Sequence, residues 1–370
     1  FYFFFHLALN IGKQKSEVAF ITTNYYPTAF GAKKLRRDFK ERAIIRYLIN
    51  FNELKIFESA KGQHNMITII QKAHDDNTIS QTCITKRKGL ATQKLLQKIL
   101  YGGDEETQYF HVAQKDLYDG DEYYIRLAGI SAMSGNPIQK ILGKVKNQGT
   151  LLGNICYINS GIQTGADKVS KNHIEKFDID ANIGDGIFIL SRKEKEELAL
   201  PKEEIFKPWY KNSDIHKWFV SYRVNEKVIY LDRDSEYSEK VIKKHLFKFK
   251  NILEKRREVI NGVISWWKLQ WPRNELIFLG KKIVVPQRSK NNYFGYNEIP
   301  WYASVDVYFI TEREKSVSLK YILALLNSKL CYLWLYHRGK RKGETLELYQ
   351  KPLSEIPIKK ISLEKQKPFI

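Results

Sequence analysis

Cysteine is scarce in this sequence: 370 residues hold three, Cys83, Cys156 and Cys331, far apart and with no C-x-x-C spacing. That excludes a disulfide framework and a cysteine-built zinc site, and a reducing cytoplasm is the expected compartment. Long hydrophobic runs are missing too. The opening Phe1-Tyr2-Phe3-Phe4-Phe5-His6-Leu7-Ala8-Leu9 is apolar, yet far short of the roughly 20 residues that span a bilayer, and no basic segment precedes it as in a signal peptide. It reads as a buried helix, and no membrane partner is expected. Signatures of several enzyme classes are absent as well. Gly161 and Gly165 lie in Ser160-Gly161-Ile162-Gln163-Thr164-Gly165-Ala166-Asp167-Lys168, without the G-x-x-x-x-G-K-[ST] spacing of a P-loop. Gly184-Asp185-Gly186 lacks the third glycine and following helix of a dinucleotide fingerprint. The eight histidines show no H-E-x-x-H spacing, and there is no G-x-S-x-G elbow. Asp232 and Asp234 flank Arg233 and read better as a turn than as a Mg²⁺ site. The 370 residues carry no self-sufficient active site.

An excess of acid is lacking; base takes its place. Lys and Arg number 62 against 41 Asp and Glu, a net charge of +21. With 43% hydrophobic and 13% aromatic residues there is material for two cores, at roughly 100–200 residues per domain. The positive charge is clustered in Lys33-Lys34-Leu35-Arg36-Arg37, in Gln287-Arg288-Ser289-Lys290-Asn291-Asn292-Tyr293 and in His337-Arg338-Gly339-Lys340-Arg341-Lys342-Gly343. Clustered cations neutralise phosphates, while Arg, Asn and Gln pair with base edges. Any single cluster reads equally well as a solvated face, but three of them in so basic a chain point to nucleic acid. Aromatic patches lie nearby at Pro208-Trp209-Tyr210-Lys211-Asn212, Trp266-Trp267-Lys268-Leu269-Gln270-Trp271 and Pro300-Trp301-Tyr302. Such rings can stack on bases or build a core, and both readings stay open.

Along the chain, residues 1 to 71 read as helix, strand, helix, strand, strand. Ile44–Ile49 and Met66–Ile70 are β-branched, nearly continuous apolar runs, as in strands buried on both faces by crossover helices. The expected fold class is α/β: the end of an open, Rossmann-like sheet over 1–74, a connector over 75–150, and a mixed α+β domain over 151–370. In that last part, Ile242, Leu246, Phe249, Leu253 and Ile260 fall on one stripe of an expected helix, with Lys240, Lys243 and Lys244 off it; a core helix is expected over Leu319–Tyr336. The chain starts with Phe rather than Met, and the expectation is of the C-terminal piece of a longer product.

The run Tyr2-Phe3-Phe4 with Leu7-Ala8-Leu9-Asn10, then Val18-Ala19-Phe20-Ile21-Thr22-Thr23-Asn24-Tyr25-Tyr26, Lys34-Leu35-Arg36-Arg37-Asp38-Phe39 and Phe57-Glu58-Ser59-Ala60 resembles the later motifs of gamma-class DNA adenine-N6 methyltransferases. Gly161 to Lys168, Trp209-Tyr210-Lys211-Asn212-Ser213-Asp214-Ile215, Lys282-Ile283-Val284-Val285-Pro286-Gln287-Arg288 and Leu325-Leu326-Asn327-Ser328-Lys329-Leu330 resemble the TaqI-like C-terminal specificity domain of type IIG restriction-modification polypeptides. The resemblance implies methyl transfer from S-adenosylmethionine to adenine in duplex DNA, the base being flipped out of the helix. It also implies a glycine-rich cofactor turn and an Asn-Pro-Pro-Tyr motif, neither of which is in the 370 residues; both are expected upstream. Asn24-Tyr25-Tyr26-Pro27 has similar letters in another order and is given no catalytic role. Phe57 aligns with the aromatic that stacks on the flipped base, or it is a plain core residue between strands. The DNA-binding candidates are Gln163, Thr164, Lys168, Lys211, Asn212, Gln287, Arg288, Lys290, Asn291, Arg338, Lys340, Arg341 and Lys342. Two other readings stand beside this one: a freestanding DNA-binding specificity module without catalysis, and an RNA-binding protein.

Overall fold

The computed structural model describes residues 2–59, 63–130, 137–198, 205–235 and 244–370. Its chain divides into two units, Phe1–Asn147 with Lys340–Glu344, and Gln148–Gly339 with Thr345–Ile370. In the first, α1 (Tyr2–Ile11), β1 (Glu17–Thr23), α2 (Lys33–Arg42), β2 (Ile44–Asn50) and β4 (Asn65–Gln71) follow in the expected order, with a two-residue strand β3 (Leu54–Lys55) before β4. The stretch 75–150, expected as a connector, adds β5 (Ile79–Thr85), β6 (Gly89–Leu90), α3 (Gln93–Leu100), β7 (Thr107–Ala113) and a small hairpin of β8 (Tyr118–Asp119) and β9 (Tyr124–Ile125). The main sheet runs β1-β4-β2-β5-β7, and β3 pairs with β6.

This sheet is mixed, whereas strands joined throughout by crossover helices, as the β-branched runs led one to expect, would all be parallel. β4 lies antiparallel between β1 and β2, and only the β2–β5 pairing is parallel. β1 and β2 therefore run the same way with α2 as their crossover, whereas no helix separates β2 from β4 among the described residues, and a helix-free link returns the chain antiparallel. Burial is uneven as well. On one face Phe5 and Leu9 of α1 and Leu35 and Phe39 of α2 meet Leu48 and Ile70, with Phe5 edge-on to Phe20 and Phe39. On the other, Ile99 of α3 packs with Ile49, Phe51 and Cys83. The opening helix is not buried all round: Phe3, Phe4, Leu7 and Ile11 are exposed, because only one residue per turn reaches the sheet. No helix among the described residues is long and apolar enough to cross a membrane.

In the second unit, β10 (Thr150–Leu151) pairs with β23 (Pro357–Ile358) near the chain end. One sheet orders β11 (Cys156–Ser160), β20 (Val307–Glu312), β16 (Lys282–Pro286), β18 (Gly295–Asn297) and β14 (Trp218–Phe219). Another orders β12 (Ile189–Ser191), β15 (Glu226–Ile229), β13 (Phe206–Tyr210) and β19 (Tyr302–Ala303). β17 (Arg288–Ser289) pairs with β22 (Thr345–Glu347), while β21 (Lys340–Lys342) counts with the first unit. The core holds Trp209, Tyr210, Val284, Trp301 and Phe309, with Tyr210 stacked on Trp301 at 4.8 Å. These rings are packing residues, which settles that part of the aromatic question in favour of a core.

Both long helices expected in this unit are broken. Ile242, Lys240 and Lys243 lie outside the described residues, as does Ala60 of the first unit. The remainder forms short turns, Leu246–Phe249, Lys250–Leu253 and Arg257–Ile260, interrupted by extended backbone at Arg256. Ile260 is exposed rather than on a buried stripe. Arg256 is buried and donates to the carbonyls of Leu253, Thr164 and Trp266, so its hydrogen bonds outweigh helix continuity there. The second helix divides into Leu319–Leu326 and Lys329–Arg338. Buried Asn327 turns aside to accept from the Phe294 amide at 3.0 Å and donate to the Phe294 carbonyl at 2.9 Å, and Ser328 caps the next helix by accepting from Cys331 N–H.

Candidate nucleic-acid interface

The loop from Gly161 to Lys168 leaves β11 and is held almost wholly by backbone. Ile162 N–H donates to Ala303 O at 2.9 Å, and Gln163 and Trp271 exchange amide hydrogen bonds at 3.0 and 2.8 Å. Gly161 is required because a Cβ there would collide with the carbonyl oxygens of Ala303 and Ser304, and Gly165 because its φ is +87°. Buried Arg256 braces the same loop through Thr164 O at 2.8 Å, and burial lowers its pKa to about 10. Asp167 O receives the amides of Ile187, Phe188 and Ile189, which ties the loop to the approach of β12.

The loop lines a cleft of about 650 Å³ whose wall includes Gln163, Lys168, Trp209, Lys211, Glu226 and Asp306. Glu226 lies across the sheet from Trp209, and its carboxylate is clasped by Lys168 at 2.8 Å and Lys211 at 2.9 Å. Burial would raise the pKa of Glu226; the two ammonium groups overcome it and hold the carboxyl below its usual range. Asp167 goes the other way: burial raises its pKa, and nearby Asp306 and Glu226 add to the rise against the Thr164 hydroxyl. A second cleft of about 630 Å³ shares Gln163, Gly165 and His173 with the first and adds Lys176, Lys255 and Arg257. Gln163 thus stands at the border of two clefts with cations along both, and its side-chain amide has no hydrogen-bond partner among the described residues. No cluster of metal-ligating side chains occurs among the described residues.

Of the residues singled out from sequence, Gln163, Thr164, Lys168 and Lys211 come together in the first cleft. Thr164 is buried there and its hydroxyl is spent on Asp167. Asn212 is exposed beside Lys211, and Gln287 lines neither cleft, its backbone N–H donating to Asp306 O at 2.7 Å. Arg288 donates to the Tyr349 hydroxyl at 2.9 Å and lies 3.5 Å from Glu347; Lys290 and Asn291 are exposed just beyond β17. Arg338 ends its helix half-buried and lines neither cleft, and Lys340, Arg341 and Lys342 are half-buried in β21. The first basic cluster is partly consumed inside its own unit. Arg36 is fully buried and donates to the carbonyls of Tyr26, Ala29 and Glu122, while Lys33 pairs with Glu122 at 3.3 Å and Arg37 with Glu41 at 3.6 Å. Phe57 is exposed and belongs to no core cluster, which removes the reading of a plain core residue. Asp232 forms the expected turn, accepting from Ser235 Oγ at 2.7 Å and Asp234 N–H at 3.2 Å.

Glu226 and Asp306 were not legible as site residues. Glu226 had one signal, being the first acid after Asp214 in a segment that holds Lys217 and Arg223. A cleft of the first unit, about 320 Å³ and lined by Tyr47, Gln81, Cys83, Tyr101, Gly102 and Tyr109, offers no carboxylate. That donor set does not fit the ribose hydroxyls and sulfonium of S-adenosylmethionine.

Residues 207–358 match the family described as the TaqI-like C-terminal specificity domain. The chain is 24% identical over 379 residues to type II methyltransferase M.HindII of Haemophilus influenzae (strain ATCC 51907 / DSM 11121 / KW20 / Rd), covering 98% of this chain and 67% of the relative. It is 34% identical over 121 residues to type II methyltransferase M.HincII of Haemophilus influenzae, covering 30% of this chain and 24% of the relative. Among solved structures it resembles the type IIL restriction-modification enzyme MmeI, determined in complex with DNA, with a TM-score of 0.56 and 13% identity over 95% of this chain and 40% of that one. That likeness concerns the fold, a mixed α/β architecture with several sheets. The second unit thus carries a TaqI-like C-terminal specificity domain, in a chain similar over nearly its whole length to a type II methyltransferase.

Proposed function

We propose that this chain supplies DNA sequence recognition and the adjoining part of the catalytic domain to a site-specific DNA adenine-N6 methyltransferase of a restriction-modification system. The reaction is methyl transfer from S-adenosylmethionine to a flipped adenine in duplex DNA. One observation carries the reading: the TaqI-like specificity match over 207–358 falls on the unit whose two clefts are rimmed by Lys168, Lys211, Lys176, Lys255 and Arg257. The first unit, with β1 and β2 joined by the crossover α2, is the end of the Rossmann-like catalytic sheet, and Phe57, whose ring is exposed, is assigned the stacking on the flipped base. Because the first-unit cleft lined by Tyr47 and Gln81 does not suit S-adenosylmethionine, the groups that hold it and the target amine are assigned to residues outside these 370. The specificity unit spans 151–370, and Gln163, Asn212, Gln287, Lys290 and Asn291 are its leading DNA contacts, with Lys168 and Lys211 shared between Glu226 and the phosphates.

Two measurements test this. Genomic DNA from cells carrying the gene is expected to hold N6-methyladenine at one recurrent motif, read by single-molecule sequencing and lost on disruption of the gene. The 370-residue chain is expected to bind duplex DNA in preference to RNA. DNA binding without any methyl mark would leave a freestanding specificity module, and a preference for RNA would discard the reading altogether.

A further inference from the structure

Between β13 and β15 the chain makes a long excursion, and it carries chemistry that the cleft does not use. Its ends are tied by the Lys211–Glu226 ion pair at 2.9 Å. Its tip is a tight hairpin: Ile215 bridges to Val220, and His216 N–H donates to Phe219 O at 3.0 Å. Trp218 N–H donates to Phe294 O at 2.9 Å, which ties the tip to β18.

Three large rings stand exposed on this tip, Trp218 at 47%, Phe219 at 54% and Tyr222 at 60%. Trp218 has φ +83°, a backbone conformation that favours glycine and is an outlier for a bulky side chain. Neither packing nor backbone preference accounts for a tryptophan there, so its ring is the feature that needs a partner. Two cations accompany the rings: Lys217 lies 5.3 Å from the Trp218 centroid, and Arg223 makes no ion pair among the described residues. The His216 ring stacks on Phe219 at 4.9 Å. From Ile215 to Asn225 there is no Asp or Glu. An apolar surface on a segment that carries positive charge and no acid complements a polyanion that has flat apolar faces inside it, which describes stacked bases between phosphates.

We propose that the 216–223 tip is an aromatic wedge that inserts Trp218, backed by Phe219, into a base step of duplex DNA while Lys217 and Arg223 hold the flanking phosphates. The inference rests on the proposed DNA-recognition role of this unit and adds a deforming element to it. The hydrogen bond to β18 and the ion pair at the base hold the wedge in position before DNA arrives, so little ordering accompanies insertion.

The test compares the full chain with Trp218→Gly and Trp218→Phe. Binding to a mixed-sequence duplex is measured by anisotropy, and unwinding by the linking number of a plasmid relaxed with topoisomerase in the presence of protein. Trp218→Gly removes the ring where glycine is the favoured residue, so its melting temperature is expected to hold or rise. Its duplex affinity is expected to fall by about ten-fold or more, with loss of the linking-number change; Trp218→Phe keeps most of both. A Trp218→Gly protein that binds and unwinds like the wild type overturns the wedge and assigns the tip to a protein partner. One that loses binding only together with its fold overturns it as well, since the ring would then be structural. Should the wild-type chain not bind duplex DNA at all, the proposed function fails first, and the two failures are told apart by that control.

Discussion

Lys282, at the start of β16, is fully buried, and its amine donates to Gly280 O at 2.8 Å and Ile299 O at 2.6 Å. Burial lowers its pKa to about 7. A neutral amine still has two N–H groups, enough for both carbonyls, so losing the proton removes the charge and keeps the bonds. In the unfolded chain the same lysine titrates near about 10.4. Its folded pKa is therefore depressed, and the contribution to stability is present at high pH and is lost as pH falls from about 10 through about 7. Raising the pH from 7 to 9 should add about 2 kcal/mol from this residue. Urea unfolding of Lys282→Met at both pH values should lack that increment, and equal pH dependence in the two proteins would remove Lys282 as its source. Glu226 has the opposite charge and also a depressed pKa. Its contribution is complete above about pH 4.3 and disappears as the pH falls through the lowered value. Glu226→Gln leaves Lys168 and Lys211 facing each other, and is expected to cost about 1–2 kcal/mol at neutral pH, less than a buried pair because both lysines reach solvent. The difference from wild type should vanish in strong acid, which thermal melts at pH 3 and pH 7 would check.

At the scale of elements, a single side chain divides one expected helix into Leu319–Leu326 and Lys329–Arg338. Periodicity alone made the run continuous, because the apolar residues keep their spacing across it; what it could not reveal is that Asn327 satisfies both backbone groups of Phe294. Asn327→Leu would leave that buried N–H and C=O unpaired, and a loss of about 2–3 kcal/mol in urea unfolding is expected. A loss below experimental error would mean that other groups replace the amide. Arg256 interrupts the other expected helix for the same kind of reason, its guanidinium being committed to carbonyls far along the chain. The chain order of β1, β2 and β4 in the first sheet was legible, since each run was short, apolar and bounded by polar residues, whereas β5 and β7 lay in a stretch read as a connector. The strand directions were not, because direction depends on what links β2 to β4. α1 was legible as a helix, but its outer side keeps Phe3, Phe4, Leu7 and Ile11 in solvent. With β1 at the end of its sheet, this chain on its own is expected to self-associate. Light scattering should reveal it, and a monodisperse monomer at high concentration would contradict it.

For the whole molecule, a charge of +21 requires that DNA binding weaken with salt. Affinity is expected to fall roughly ten-fold or more between 50 and 200 mM salt, and a flat titration would remove phosphate contacts from the account. The clustered base was enough to point to a polyanionic partner, because net charge and its spacing along the chain do not depend on how the chain folds. The sequence also determined the elements α1 to β4 other than β3, and the specificity-domain motifs, which are local runs of residues. Tertiary structure decided which of those residues remain free to act. It buried Arg36 and Thr164, set Arg288 against Glu347, exposed Phe57, and gathered Gln163, Lys168 and Lys211 around a glutamate from a distant strand. The reason is physical: a charge or amide is available to a ligand only if no nearer partner in the fold has taken it, and those partners come from segments far apart in the chain.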